Sequence, residues 1–78
     1  MLETEIRQVI AQTLLLDADS LSDTTDLRSE LGIDSMRSLE VIAALEDRWG
    51  VMFAEERFGE LVTVRGISAI LREMGAGI

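Results

Sequence analysis

The chain has 78 residues, which is enough for one small domain spanning residues 1–78. Its 15 acidic residues outnumber seven basic ones, and the net charge of −8 makes nucleic acids and anionic membranes poor partners but basic protein surfaces good ones. The absence of His and Cys excludes Ser-His-Asp and Cys-His nucleophile systems, disulfides and ordinary zinc sites.

The first predicted element is an amphipathic helix from Leu2 to about Leu16. Its apolar residues follow the three- and four-residue spacing of one helix face: Leu2, Ile6, Val9, Ile10 and Leu14. A polar loop over residues 17–34 comes next. The loop is long for so small a domain, and its aliphatic residues are expected to pin it across the helix ends: Leu21, Leu27, Leu31 and Ile33.

The acidic residues of this loop raise the alternative of a calcium site, which their spacing does not support. An EF-hand beginning at Asp17 would place Ser22 where glycine is required and Arg28 where the bidentate glutamate belongs. We therefore interpret the segment as a solvated acidic loop without a metal.

Three further helices are predicted downstream. The second runs from Ser35 or Met36 to Trp49 and stops at Gly50, and a short third one covers about residues 54–61. Thr63 is expected to cap a fourth helix that continues through Met74, and residues 75–78 are expected to fray. Because no alternating strand pattern occurs, the prediction is an all-α, small four-helix bundle with a long loop between helices 1 and 2.

A helical wheel at about 100° per residue divides the second helix into faces. Ile42, Leu45 and Trp49 cluster on the side predicted to be buried. A mixed strip adjoining Ser35 combines apolar and acidic side chains: Met36, Leu39, Glu40, Ala43, Glu46 and Asp47. Arg37, Ala44 and Arg48 fall behind this strip. Apolar contacts flanked by carboxylates are typical of a surface that docks on a basic partner.

Asp34 and Ser35 stand where the second helix begins. From spacing alone, a helix cap is the favoured interpretation of this pair. A displayed serine is compatible with it, since Asp34 can cap while Ser35 points outward from the first helical position. A phosphate attached there would lie in the favourable field of the helix N-terminus.

The segment LGIDSM, Leu31 to Met36, is similar to the L-G-x-D-S-L signature of acyl carrier proteins. The resemblance extends over nearly the whole chain, from the first helix and long loop to LVTVRGISAIL near the end. Met36 in place of the usual leucine, together with Arg37 and Arg48, departs from the most acidic fatty-acid carriers. Arg37 is three residues from Glu40, and we expect these two side chains to pair.

The resemblance implies that Ser35 carries 4′-phosphopantetheine, transferred from coenzyme A by a phosphopantetheinyl transferase that recognises Asp34. The thiol of this arm would hold acyl groups as thioesters, and the chain itself would catalyse nothing. The partner-binding residues would be the acids Glu40, Glu46 and Asp47 with the apolar Met36, Leu39 and Ala43.

The resemblance also implies partners with basic docking patches, such as an acyltransferase or ligase and a ketosynthase. We expect a free-standing monomer of a bacterial polyketide or other specialised pathway. Fatty-acid synthesis and carriage of aminoacyl or peptidyl units remain alternatives. The chain has no signal-peptide pattern, so a cytoplasmic location without membrane attachment is the default expectation.

Two interpretations from other classes remain. One is an acidic helical interaction module in which Ser35 is only a helix cap. The other is an enzyme that uses Asp34 and Glu40 as an acid–base pair.

Overall fold

The computed structural model describes residues 1–75 and contains three α-helices and two short 3₁₀ helices. The α-helices are α1 (Leu2–Leu14), α2 (Ser35–Trp49) and α3 (Val64–Glu73). The predicted short third helix is the 3₁₀ helix Glu55–Glu60. A second 3₁₀ turn, Ala18–Ser20, was not predicted. Residues 1–75 contain no strand, so the all-α prediction is confirmed, while the predicted fraying partly concerns residues outside the described range.

The first helix ends two residues earlier than its apolar pattern predicts. Leu15 adopts the left-handed conformation, with φ 59° and ψ 47°. The N–H groups of Leu15 and Leu16 both donate to the carbonyl oxygen of Ala11, which satisfies the end of the helix and turns the chain. Leu15 and Leu16 are therefore outside the helix, and both side chains are exposed.

The core consists of aliphatic side chains from all three α-helices. Its fully buried members are Ile6, Ile10, Val41, Leu45, Val64, Ile67 and Leu71. Trp49, which the wheel placed in the core, is only partly buried against it. The fourth helix, predicted to continue through Met74, ends at Glu73, and the Met74 side chain is 42% exposed. Val9 on α1 is likewise only partly buried, and the remaining core residues predicted from helical spacing are confirmed.

Only two of the four aliphatic side chains predicted to pin the loop between α1 and α2 are buried, and the prediction is wrong for Leu31. Leu21 and Leu27 are buried, whereas Ile33 is half-buried and Leu31 is 36% exposed. Backbone hydrogen bonds tie the loop to the segment that starts α3, since Leu27 N–H donates to the Val62 carbonyl. The loop thus reaches α2 along a fixed path.

Acidic side chains in this loop stabilise turns. The Asp26 carboxylate accepts hydrogen bonds from the N–H groups of Arg28 and Ser29, both at 2.9 Å. The bond from Ser29 is the main cause that lowers the pKa of Asp26 below its ordinary value. Within residues 1–75 no group of three or more carboxylates is placed to hold a metal ion.

Glu3 has a structural role that its position on the first turn did not predict. Its carboxylate accepts a hydrogen bond of 2.6 Å from the Ser68 hydroxyl and forms an ion pair of 3.1 Å with Arg72. The Ser68 bond lowers the pKa of Glu3. Glu5 pairs with Arg48 at 3.2 Å. These contacts join the start of α1 to α3 and to the end of α2.

Gly66 allows α3 to pack directly on the end of the preceding 3₁₀ helix. A Cβ atom at this position would overlap the carbonyl oxygen of Glu60. We expect Gly66→Ala to lower the free energy of unfolding by about 1–3 kcal/mol, although alanine favours helix more than glycine does. Denaturant unfolding measures this difference.

Gly59→Ala is the matched control, because a Cβ atom at Gly59 would meet nothing within 4 Å and needs no special backbone conformation. We expect this variant to be about as stable as the parent. Equal stability of the two variants would contradict the proposed overlap at Gly66.

Candidate functional site

Ser35 is the first residue of α2, and the preceding Asp34 caps the helix. The Asp34 carboxylate accepts a hydrogen bond of 2.9 Å from the N–H of Arg37. Among residues 1–75, the Ser35 hydroxyl has no hydrogen-bond partner, and the residue is exposed. The interpretation that Ser35 itself is the cap is therefore wrong, and the arrangement with Asp34 as cap and Ser35 outward is confirmed.

The N-terminus of α2 favours an anion on Ser35. The first turn of this helix contains no acidic residue, so the carboxylate at the positive end of the helix dipole is that of the cap, Asp34. Gly32, with φ 66°, bends the chain just before the cap. Within residues 1–75, no atom apart from those of its chain neighbours lies within 4 Å of the position that a Cβ atom on Gly32 would occupy. An exposed hydroxyl at the start of a helix fits the attachment of a phosphate-linked group.

Most of the mixed strip predicted on α2 is exposed. Met36 and Leu39 present 71% and 54% of their surface to solvent. Glu40, Ala43 and Asp47 are exposed beside them. We call these five residues the docking face.

Glu46 differs from the rest of that strip. It is half-buried, and its carboxylate accepts a hydrogen bond of 2.9 Å from the N–H of Phe53. Glu46 therefore holds the segment that follows α2. The sequence did not indicate this role, because the contact depends on the path by which that segment folds back against α2. Binding of a partner by Glu46 stays a prediction.

The two arginines behind the strip have different surroundings. Arg48 pairs with Glu5, and its guanidinium lies 5.2 Å from the centre of the Trp49 ring. Arg37 is half-buried and forms no ion pair within residues 1–75, so the expected pairing with Glu40 is wrong. The side chain of Arg37 instead lines a pocket beside Asp34, formed by the loop and the end of α1.

Two cavities adjoin the start of α2. An interior one, between Ile33, Val41, Ile42, Phe58 and Leu61, has a volume of only about 10 Å³. The pocket beside Asp34 is open to solvent and measures about 330 Å³. The core is therefore closely packed, and the larger space lies at the surface.

No helix within residues 1–75 is long and apolar enough to cross a bilayer. Glu40 and Asp34 are both exposed, on α2 and at its cap, and the Asp34 carboxylate accepts a hydrogen bond from the Arg37 N–H. This arrangement gives the acid–base interpretation no support.

Comparison with known proteins gives a consistent result. The model of a family described as a phosphopantetheine attachment site matches residues 4–71. An acyl carrier protein of Streptomyces coelicolor is 39% identical over 70 residues, which cover 88% of this chain and 76% of that protein. An acyl carrier protein of Treponema denticola is 36% identical over 61 residues, covering 78% of each.

A further relative has a more specific description. Polyketide-8 synthase acyl carrier protein 2 of Streptomyces avermitilis is 30% identical over 67 residues, which cover 86% of this chain and 77% of that protein. The family match spans all of α2 and most of α1 and α3, and it includes the exposed serine at the start of α2. The chain therefore belongs to the phosphopantetheine-binding family of acyl carrier proteins.

Proposed function

We propose that Ser35 is the residue of this acyl carrier protein that carries 4′-phosphopantetheine. The observation that carries the proposal is the free, exposed hydroxyl of Ser35 at the N-terminus of α2, next to a cap provided by Asp34. The Ser35 oxygen would become part of a phosphodiester whose negative charge the helix N-terminus stabilises. When bound, the arm supplies the thiol on which acyl groups are held as thioesters.

The proposal assigns no catalytic step to the chain itself. The sequence contains no Cys or His, so the reactive thiol comes with the arm and the acid–base groups come from partner enzymes. The residues of the chain present the arm, hold the helix that bears it and provide the surface on which each enzyme docks.

We propose that the docking face binds basic patches on those enzymes. Met36 and Leu39 supply exposed apolar contact, while Glu40 and Asp47 supply charges that no arginine within residues 1–75 neutralises. The same face would serve the phosphopantetheinyl transferase, an acyltransferase or ligase and a ketosynthase in turn. Because these enzymes need the face uncovered, the working form would be a monomer.

We propose a polyketide or related specialised pathway, and the similarity to the polyketide-8 synthase carrier of Streptomyces avermitilis supports this choice. The relatives described only as acyl carrier proteins are equally compatible with fatty-acid synthesis. A set of ketosynthases from both kinds of pathway, offered the same acylated chain, would distinguish the two.

The attachment at Ser35 is tested by incubating the purified chain with coenzyme A, Mg²⁺ and a broad-specificity phosphopantetheinyl transferase. We expect intact-protein mass spectrometry to show the addition of one phosphopantetheine to the parent and none to Ser35→Ala. Ser38→Ala is the matched control, one turn further along α2, and should be modified like the parent. Modification of Ser35→Ala, or none of the folded parent, would refute the assignment.

The capping role of Asp34 and its recognition by the transferase can be separated. Asp34→Ala removes the hydrogen bond to the Arg37 N–H and should lower the free energy of unfolding by about 1 kcal/mol. Asp34→Asn keeps a capping side chain, so its stability should remain near that of the parent.

Recognition by charge predicts that both Asp34 variants are modified more slowly than the parent, as measured by initial transfer rates. If Asp34→Asn were modified at the parental rate while Asp34→Ala was slower, Asp34 would act only through the helix cap.

Charge reversal tests the docking face. We expect Glu40→Arg and Asp47→Arg each to lower kcat/KM of the transferase roughly tenfold at low ionic strength, because each places a cation against a basic patch. The loss should shrink at high salt, where exposed charges are screened.

Asp19→Arg is the matched control for these variants. Asp19 is exposed in the 3₁₀ turn Ala18–Ser20, outside the docking face, and its replacement changes the net charge by the same amount. An equal loss of kcat/KM in all three variants would show that total charge, and not the docking face, governs association.

A further inference from the structure

The surface pocket beside Asp34 lies between the end of α1 and the start of α2. Its walls include four aliphatic side chains, Leu14, Leu16, Leu31 and Ile33, together with Asp34 and Arg37. Its volume of about 330 Å³ is within the range of small-molecule sites. We call it the Arg37 pocket.

Arg37 is the cation of this pocket and lacks an anionic partner. Its Nε atom is shielded from solvent and makes no hydrogen bond within residues 1–75. The Asp34 carboxylate is directed to the backbone N–H of Arg37 instead of its guanidinium. A shielded guanidinium nitrogen without an acceptor is unfavourable, and a carboxylate is the group that pairs best with its planar donors.

Most other arginines in the described part of the chain form ion pairs. Arg7, Arg48, Arg57 and Arg72 each pair with a carboxylate of the chain. Arg28 and Arg65 have no ion pair within this part of the chain either, but both are exposed to water. Arg37 alone among residues 1–75 combines a shielded guanidinium nitrogen with an apolar pocket and no carboxylate partner.

The interior cavity offers the cargo no comparable space. Its volume of about 10 Å³ admits no more than a water molecule, so an acyl group could enter only if the core expanded. The Arg37 pocket needs no such expansion. It adjoins the residue directly before Ser35, so the end of a flexible arm attached to Ser35 can turn back around Asp34 into it.

The phosphate of the arm is less well placed than the cargo to bind Arg37. Ser35 does not line the pocket, and Ser35 and Arg37, two residues apart on a helix, project about 200° from each other. A phosphate bonded to Ser35 is therefore held on the other side of the helix start. The anion that reaches Arg37 must come from further along the arm.

We propose that the Arg37 pocket binds the acyl group carried by this chain, and that the preferred cargo has a free carboxylate, as in a dicarboxylic acid held as a half-thioester. The aliphatic walls contact the methylene chain, and Arg37 binds the terminal carboxylate. The inference rests on the proposed function, because the cargo must be tethered to Ser35.

The test compares two cargoes of equal chain length. The transferase is supplied with glutaryl coenzyme A or pentanoyl coenzyme A, which differ in the terminal carboxylate, and with coenzyme A alone as the reference. Loading is verified by mass spectrometry. Backbone amide chemical shifts and Tm are then measured for the parent, for Arg37→Gln and for Arg65→Gln, the matched loss of an unpaired arginine.

We expect glutaryl loading to shift the amide signals of residues 14–16 and 31–33 and to raise Tm by about 4 °C or more over the pentanoyl form. Arg37→Gln should abolish both differences, and Arg65→Gln should retain them.

Three results would overturn the inference while leaving attachment at Ser35 intact. One is equal behaviour of the two cargoes. Another is a glutaryl-dependent shift at Val41, Phe58 and Leu61, which line the interior cavity, instead of at the pocket. The third is a full pocket shift on loading with coenzyme A alone, relative to the unmodified chain, which would assign Arg37 to the phosphodiester. Failure to load any form would instead refute the proposed function, and the inference with it.

Discussion

The hydrogen bond between the Asp34 carboxylate and the Arg37 N–H is the contact on which the functional end of the molecule depends. A helix start leaves its first N–H groups without partners, and a side chain next to the first turn must satisfy one of them. Asp34 does so, which leaves the Ser35 hydroxyl free for chemistry at the first helical position. If Ser35 had to cap the helix, attaching a group to it would remove the cap. Separating the two tasks between adjacent residues avoids this conflict.

The acidic residues of the chain fall into two groups, those in ion pairs with arginines and those without. Five acids form ion pairs with arginines: Glu3, Glu5, Asp23, Glu60 and Glu73. All of these pairs except Arg57–Glu60, which lies within one 3₁₀ helix, join separate parts of the chain. Each such exposed pair contributes little to stability on its own. The pairs do, however, cancel charge away from the docking face, where Glu40 and Asp47 stay unpaired within residues 1–75. The docking face therefore keeps its negative charge, while other acids unpaired in the described part of the chain, such as Asp19 and Glu56, lie elsewhere on the surface of a chain whose net charge is −8.

The sequence predicted most of the fold because each helix carries its own signal. Apolar spacing located α1, α2 and α3, and Gly50 and Thr63 marked ends that the structure confirms. The signature LGIDSM predicted the exposed serine. The wheel failed for Arg37 and Glu46, because a wheel describes one helix in isolation. The surroundings of Arg37 and Glu46 are set by the loop before α2 and the segment after it, whose paths depend on tertiary contacts such as the bond from Leu27 to Val62.

The small size of the domain explains why α2 contributes both to the core and to the docking face. A chain of 78 residues has a core only a few side chains thick, and Val41, Ile42 and Leu45 on α2 are part of it. Their burial fixes the rotation of α2 about its axis, which in turn places Met36, Leu39 and Glu40 outward. The orientation of the docking face is thus a consequence of core packing. A substitution that let α2 rotate would move Ser35 and the docking face together, even if no functional residue were changed.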